Sequence, residues 1–290
     1  MWMIIRGVLV GLAFFFYVDI SFAQENEKKE DCYLCDEHKY MNPYQFGIKS
    51  EWPFYAVSAA LVGTGLVLRN NNDLLPFTVS ELEFLDRNDV NKFDRDATYN
   101  WDENAKKQSD ILILSTFILP AVFLVNHHTR EDIGGLLLMG LEVASINFGI
   151  TATVKNLVNR TRPYVYNTEL SNDIRTNNQG RLSFYSGHTS TTASFSFFFA
   201  KVMNDYHPNM KTGWKIGMWT FAATVPALTG YLRVKAGYHF RSDVLTGYAV
   251  GAAIGWLIPH LHKKRKANSG LSIYPTRVFN SSGLGLTYKF

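Results

Sequence analysis

The 290-residue chain is predicted to fold as an all-α helical bundle of about six helices. Two observations predict it. Six separate apolar stretches are each long enough for a helix, and none shows the apolar–polar alternation of a half-exposed strand. Polar stop and start signals fall between several of them. Hydrophobic residues make up 47 % of the chain and aromatics 14 %, richer in aromatics than an ordinary soluble domain. The length suits one compact domain with peripheral segments.

The N-terminus reads as an export signal, residues 1–23. Arg6 precedes an apolar run from Gly7 to Val18, and Ser21-Phe22-Ala23 supplies a small-residue cleavage site before Gln24. An uncleaved anchor is the rival reading, opposed by the shortness of the run and by Asp19. On either reading the chain after residue 24 begins outside the cytoplasm. Residues 24–108 are polar segments around one apolar helix, Trp52–Leu68, which Arg69 and three asparagines stop. Cys32 and Cys35 read as a local disulfide in an oxidising compartment; a redox or metal role with His38 is the alternative. Leu82–Gln108 carries Asp86, Asp89, Asp94, Asp96, Asp102 and Glu103 and reads as a solvated loop.

The main domain, residues 109–262, holds five apolar stretches: Asp110–Asn126, Ile133–Val154, Ser190–Met203, Trp214–Leu232 and Val244–Leu261. Ser109-Asp110 and Ser242-Asp243 read as N-caps. Residues 263–290 form a basic run and a tail with a hairpin around Asn280–Gly283. The net charge of +4 comes largely from residues 262–266. That is too local for a nucleic-acid-binding face. A basic run after a last spanning helix belongs in the cytoplasm. Counting back gives five spans, with Trp52–Leu68 not fully crossing and the 155–188 and 233–243 loops outside. A soluble or peripheral periplasmic bundle is the alternative.

Three clusters fall at helix ends. Lys155 to Arg162-Pro163 closes the third helix, Ser186-Gly187-His188 opens the fourth, and Arg233 to His239 to Asp243 joins the fifth to the sixth. Antiparallel neighbours bring all three to one end, placing an active site between helices 3–4 and 5–6. Lys155 and Arg162, seven apart, share a face while the helix continues. With Arg233, they make a cationic cage for a tetrahedral oxyanion. Ser186 and the amides of Gly187 and His188 add neutral donors at a helix start. Asp243, four residues on, can reach His239 and support positive charge on it. His239 is then a nucleophile, and His188 protonates the leaving oxygen and later activates water.

These motifs resemble the signature of the type 2 phosphatidic acid phosphatase and vanadium haloperoxidase superfamily: Lys, six residues, Arg-Pro; Pro-Ser-Gly-His; Ser-Arg, five residues, His, three residues, Asp. Lys155, Arg162 and Pro163 match the first part, Ser186, Gly187 and His188 the second, and Arg233, His239 and Asp243 the third. The resemblance covers roughly residues 110 to 260 and implies a helical bundle. It implies phosphate binding by Lys155, Arg162, Ser186, Gly187 and Arg233, with His239, Asp243 and His188 as the catalytic set. It also implies no metal or other cofactor in the phosphatase branch. Tyr185 stands where the family has proline, and Leu232 where it has serine. The function expected is hydrolysis of a phosphate monoester or diphosphate, of a membrane lipid, through a phosphohistidine. A periplasmic acid phosphatase for soluble esters is the alternative, and a vanadate-dependent haloperoxidase a more distant one. The expected partners are the substrate and a membrane, in the cell envelope with the site facing the periplasm, and no nucleic acid or partner protein.

Overall fold

The computed structural model describes residues 42–71, 76–264, 270–278 and 281–289. The export signal and Cys32 and Cys35 lie outside the described residues. Among the described residues six long helices appear: α1 Ile48–Asn71, α2 Glu103–Thr116, α3 Ile133–Val158, α4 Gly187–Tyr206, α5 Thr212–Lys235 and α6 Arg241–His262. Each contains or overlaps one of the six apolar stretches, so the predicted helical bundle is the architecture found.

The helix ends differ from expectation. Asp102 caps α2 by accepting the Ala105 N–H at 3.0 Å, so Ser109 and Asp110 lie inside the helix. The same apolar stretch does not run on as one helix. It breaks after Thr116 into a 3₁₀ turn, Leu119–Leu124, with a proline at its start; Pro120 has no N–H to continue the ladder. At α6 the cap position is Phe240. Ser242 and Asp243 sit in the first turn, where the Asp243 carboxylate accepts the Phe240 N–H at 2.9 Å.

Helix α4 runs through the middle, packed by α2, α3, α5 and α6. Its Ser- and Thr-rich faces are buried almost throughout. The closest of these contacts is with α6. A Cβ at Gly247, Gly251 or Gly255 would lie 2.5, 2.1 and 2.1 Å from the Ser186, Ser190 and Ser194 carbonyl oxygens. Glycine every fourth residue lets the two backbones touch. A core of Phe123, Leu136, Met139, Phe198, Phe199 and Ile258 fills the bundle. α1 lies against α3, and α2 against α5.

Four helical stretches among the described residues, two of them continued by a 3₁₀ turn, are long and apolar enough to cross a membrane: Trp52–Asn70, Glu103–Leu124, Ile133–Tyr166 and Arg241–His262. This set differs from the five expected. It includes the Trp52 helix and leaves out α4 and α5. A helix enclosed by its neighbours, as α4 is, needs no lipid-facing side. The tail forms an antiparallel hairpin, β1 Gly270–Val278 and β2 Ser281–Lys289, with Val278 opposite Ser281. Its pairing includes Ser281–Gly283, inside the segment where the sequence placed the turn.

Candidate active site

The three clusters converge where α3 and α5 end and α4 and α6 begin. α3 stops at Val158, with Asn159 in the left-handed conformation at φ 50°. Lys155 is therefore on its last turn, but Arg162 is beyond it, ahead of the Pro163 turn. The expected shared helical face is corrected: the chain leaves the helix first. The Arg162 N–H donates instead to the Gly180 carbonyl at 2.8 Å. Lys155 donates to the Leu182 carbonyl at 2.7 Å.

His239 follows a turn at Gly237, whose φ of +75° suits glycine. A Cβ there would meet the Asn100 oxygen at 2.2 Å. The imidazole is 2 % exposed. Its Nδ1 lies 3.6 Å from Asp243 Oδ2, slightly too far for a formed hydrogen bond. Asp243 is held firmly by others. The Ser183 hydroxyl donates to it at 2.5 Å, the Phe240 N–H at 2.9 Å, and Arg160 at 2.5 Å.

Arg160 extends this network. Its second nitrogen reaches Asp94 Oδ2 at 2.8 Å, and Asp94 accepts from both the N–H and the hydroxyl of Ser242. Asp94 is 1 % exposed. Burial pushes its carboxyl up, but hydrogen bonds from Ser242, Asn91 and Arg160 outweigh that and hold it below the usual range. The solvated-loop reading of 82–108 is thus corrected at Asp94, while Asp86, Asp89 and Asp96 are exposed as expected. The segment is fastened along the His239 loop: Arg241 to Asp96, Asn100 to the Val234 carbonyl, and Lys235 to Asp102.

His188, at the start of α4, places Nε2 2.9 Å from Asp110 Oδ1, and Arg233 donates to the same oxygen at 3.3 Å. Asp110, expected to be a cap, is a second carboxylate of the site. Ser186 caps α4; its hydroxyl engages Thr189, and its N–H donates to the Asp243 carbonyl at 3.0 Å. Gly187 faces α3: a Cβ would lie 3.3 Å from Thr151 Cγ2 and 3.8 Å from Lys155 Cε. The two residues that depart from the motifs of the resemblance, Tyr185 and Leu232, each have defined contacts. The Tyr185 hydroxyl accepts from Thr151 on α3 at 3.0 Å. Leu232 is buried with Ala105, Leu112 and Ala236.

The electrostatics follow from crowding of cations. Burial first, then Lys155, Arg162, Arg233 and His188, hold His239 well below the ordinary imidazole range. Burial and the charge of Arg233 push His188 down to about 4, against the pull of Asp110. Both histidines are therefore neutral near pH 7. Arg162 and Arg233 are 6 % and 3 % exposed, and the Nε of each is buried without a protein partner, as is His239 Nδ1. Buried guanidinium groups with spare donors call for an anion. A neutral imidazole beside that anion can act as a nucleophile. The cage opens into a cavity of about 310 Å³ lined by Arg162, His188, Arg233, Trp101, Lys106 and Tyr238 among others.

Of the predicted residues, Lys155, Arg162, Arg233, His188, His239 and Asp243 come together, with Ser186 and Gly187 at the joining helix start. Sequence reasoning missed Arg160, Asp94 and Asp110 as site residues. Arg160 stood inside the first motif and was legible only as part of a positive cluster. The two aspartates meet the motifs across 66 to 148 residues of chain, with no local signal.

Comparison with known proteins gives three findings. Residues 135–267 match the profile of the PAP2 superfamily. Over 110 residues the chain is 26 % identical to a Porphyromonas gingivalis protein named lipid A 4'-phosphatase, covering 37 % of this chain and 42 % of that one. The match thus spans less than half of that relative's length. A solved structure, the transmembrane PAP2 type phosphatidylglycerolphosphate phosphatase from Bacillus subtilis, aligns at 19 % identity with a TM-score of 0.40, covering 73 % of this chain and 92 % of that one.

Proposed function

We infer, from the match of residues 135–267 to the PAP2 superfamily, that the chain hydrolyses a phosphate ester of a membrane lipid through a phosphohistidine on His239. The observation that carries the reading is the placement of a buried, neutral His239 among Lys155, Arg162, Arg233 and His188. Asp243 stands behind its Nδ1.

The chemistry runs in two displacements. The phosphoryl group is held by Lys155, Arg162, Arg233 and the amides at the start of α4, which offset the charge of the transferring group. With Nδ1 turned to Asp243, Nε2 of His239 attacks phosphorus. The bond from phosphorus to the ester oxygen breaks, and His188 gives that oxygen a proton. Water then attacks phosphorus while His188 takes its proton. The phosphorus–nitrogen bond breaks, phosphate leaves, and His239 is restored.

Because His188 is neutral in the free site, its proton must arrive with the substrate. A phosphate dianion cancels the charge of Arg162 and Arg233, so it raises the histidine's proton affinity when the acid is needed. Four apolar helical stretches long enough to cross a bilayer support a lipid substrate. Lys263 and Lys264 follow α6 at the end opposite the site. The preference of basic residues for the cytoplasm supports a site on the outer, periplasmic side.

The test is phosphate release by purified protein in mild detergent with EDTA present, from lipid A and phosphatidic acid, beside His239→Ala. The reading expects release from at least one lipid and a loss on the order of 10⁴-fold in the variant. Release that survives the substitution, or that needs added magnesium, would contradict it.

A further inference from the structure

The two buried guanidiniums of the cage have weak polar partners in the protein. Arg162 reaches the Gln179 amide oxygen at 3.5 Å. Arg233 reaches the Ser109 hydroxyl and Asp110 Oδ1, each at 3.3 Å. These are long contacts for charged donors. One aromatic ring meets both groups. The Arg233 guanidinium lies over the Tyr238 ring at 4.6 Å from its centroid, and the Arg162 guanidinium at 5.3 Å. The Lys106 ammonium is over the same ring at 5.5 Å. All three distances are within reach of the negative face of a π system. The ring is itself held. Its own N–H donates to the Arg233 carbonyl at 3.2 Å, and the Gly237 carbonyl before it accepts the Tyr164 N–H at 2.9 Å. Trp101 lies nearly parallel to it at 5.9 Å and 20°, and Tyr164 meets it tilted at 5.4 Å.

We propose that Tyr238 is a positioning residue for the anion site, a π platform that holds Arg162 and Arg233 in place before the anion arrives. The proposal rests on the reading of these groups as a phosphate cage and adds a residue that acts through the two arginines. Neighbouring guanidiniums repel each other. Left to long hydrogen bonds, both side chains would sample several rotamers, and an anion would have to order them as it bound. A ring face attracts both cations and carries no net charge to compete with phosphate for them. A carboxylate in its place would neutralise the cage, and an aliphatic side chain would fill the space without attraction. Tyr238 immediately precedes His239, so the platform and the nucleophile sit on one turn. Trp101 and Lys106 precede the matched family segment, so the N-terminal part of the chain supplies the backing of this ring.

The test is calorimetric titration of inorganic sulfate into the full chain in mild detergent, with position 238 varied. Tyr238→Phe keeps the ring and loses the hydroxyl, and is expected to bind within about twofold of wild type. Tyr238→Leu keeps much of the bulk without a π face, and is expected to bind about tenfold more weakly. Phenylalanines bearing one, two or three ring fluorines, placed at 238, keep the shape while draining negative charge from the face. Affinity should fall stepwise along that series, which a ring that only fills space would not show. The series also decides the matter should Tyr238→Leu fail to fold. A flat series, or a leucine variant that binds as tightly as the phenylalanine one, would overturn the platform. A loss in Tyr238→Phe as large as in Tyr238→Leu would assign the role to the hydroxyl and overturn it too. The phosphatase reading fails separately. Sulfate affinity that tracks fluorination, in a protein that releases phosphate from no ester, would support the platform and contradict that reading. Release that depends on His239, with a flat series, would do the reverse.

Discussion

Asp243 accepts hydrogen bonds from Ser183, Phe240 and Arg160, and Arg160 is shared with the buried Asp94. The carboxylate facing His239 is thus fixed by the Ser183 hydroxyl, the Phe240 N–H and the Arg160 guanidinium. Asp94→Asn keeps the shape but leaves Arg160 with one carboxylate in place of two. It is expected to lower kcat on the order of 10- to 100-fold, as outer partners of functional histidines do. Its pH–rate profile should shift with little change in KM. A loss below twofold with an unchanged profile would contradict the role. Asp110 acts oppositely, placing negative charge on His188 and Arg233 where a phosphate oxygen is expected. Asp110→Asn should tighten inhibition by sulfate several-fold while slowing turnover, and weaker inhibition would argue against competition for Arg233. The histidines add a pH dependence. Both are depressed in the free site, His188 to about 4. An anion among Lys155, Arg162 and Arg233 raises them, so the complex binds more protons than the free protein. By linkage the anion binds more tightly as pH falls. Sulfate, whose own charge is constant over this range, should gain affinity from pH 7 to pH 5. A flat profile would mean that neither histidine senses the anion.

At the scale of elements, the contact of α4 with α6 sets the distance between the Ser186 and His239 motifs. Gly251→Val inserts atoms where even a Cβ would sit 2.1 Å from a carbonyl oxygen. Overpacking of this kind costs about 1–3 kcal/mol or more, and the melting temperature in detergent should fall by several degrees. Gly213→Ala near the start of α5, where a Cβ meets nothing within 4 Å, should be neutral within about 0.5 kcal/mol. Similar losses in both variants would mean that the α4–α6 contact is not special. The helices themselves were legible because each apolar run is long and continuous. Their ends were not, because Asp102 caps a helix that carries the more conspicuous Ser109-Asp110 pair well inside it, and α6 starts after Phe240 with the Ser242-Asp243 pair already in its first turn. The motif residues were legible by spacing, although Arg162 reaches the site through a chain reversal after Asn159 and not along a helical face. Asp94 and Asp110 were not, since only the tertiary fold brings an acidic segment beneath the His239 loop.

At the scale of the whole molecule, a polar site closes one end of a bundle whose flanks expose Leu114, Leu137, Leu141, Phe148, Leu245 and Leu257. That distribution suits a phosphorylated head held outside a bilayer while the lipid's chains stay within it. The central claim is that His239 carries the phosphoryl group between two displacements. The most direct measurement is acid-free rapid quenching of turnover with substrate radiolabelled on phosphorus, followed by peptide mapping. The account predicts an acid-labile, alkali-stable label on the peptide containing His239. That label should be missing from His239→Ala. Turnover at full rate by His239→Ala, or a label on any other residue, would contradict it.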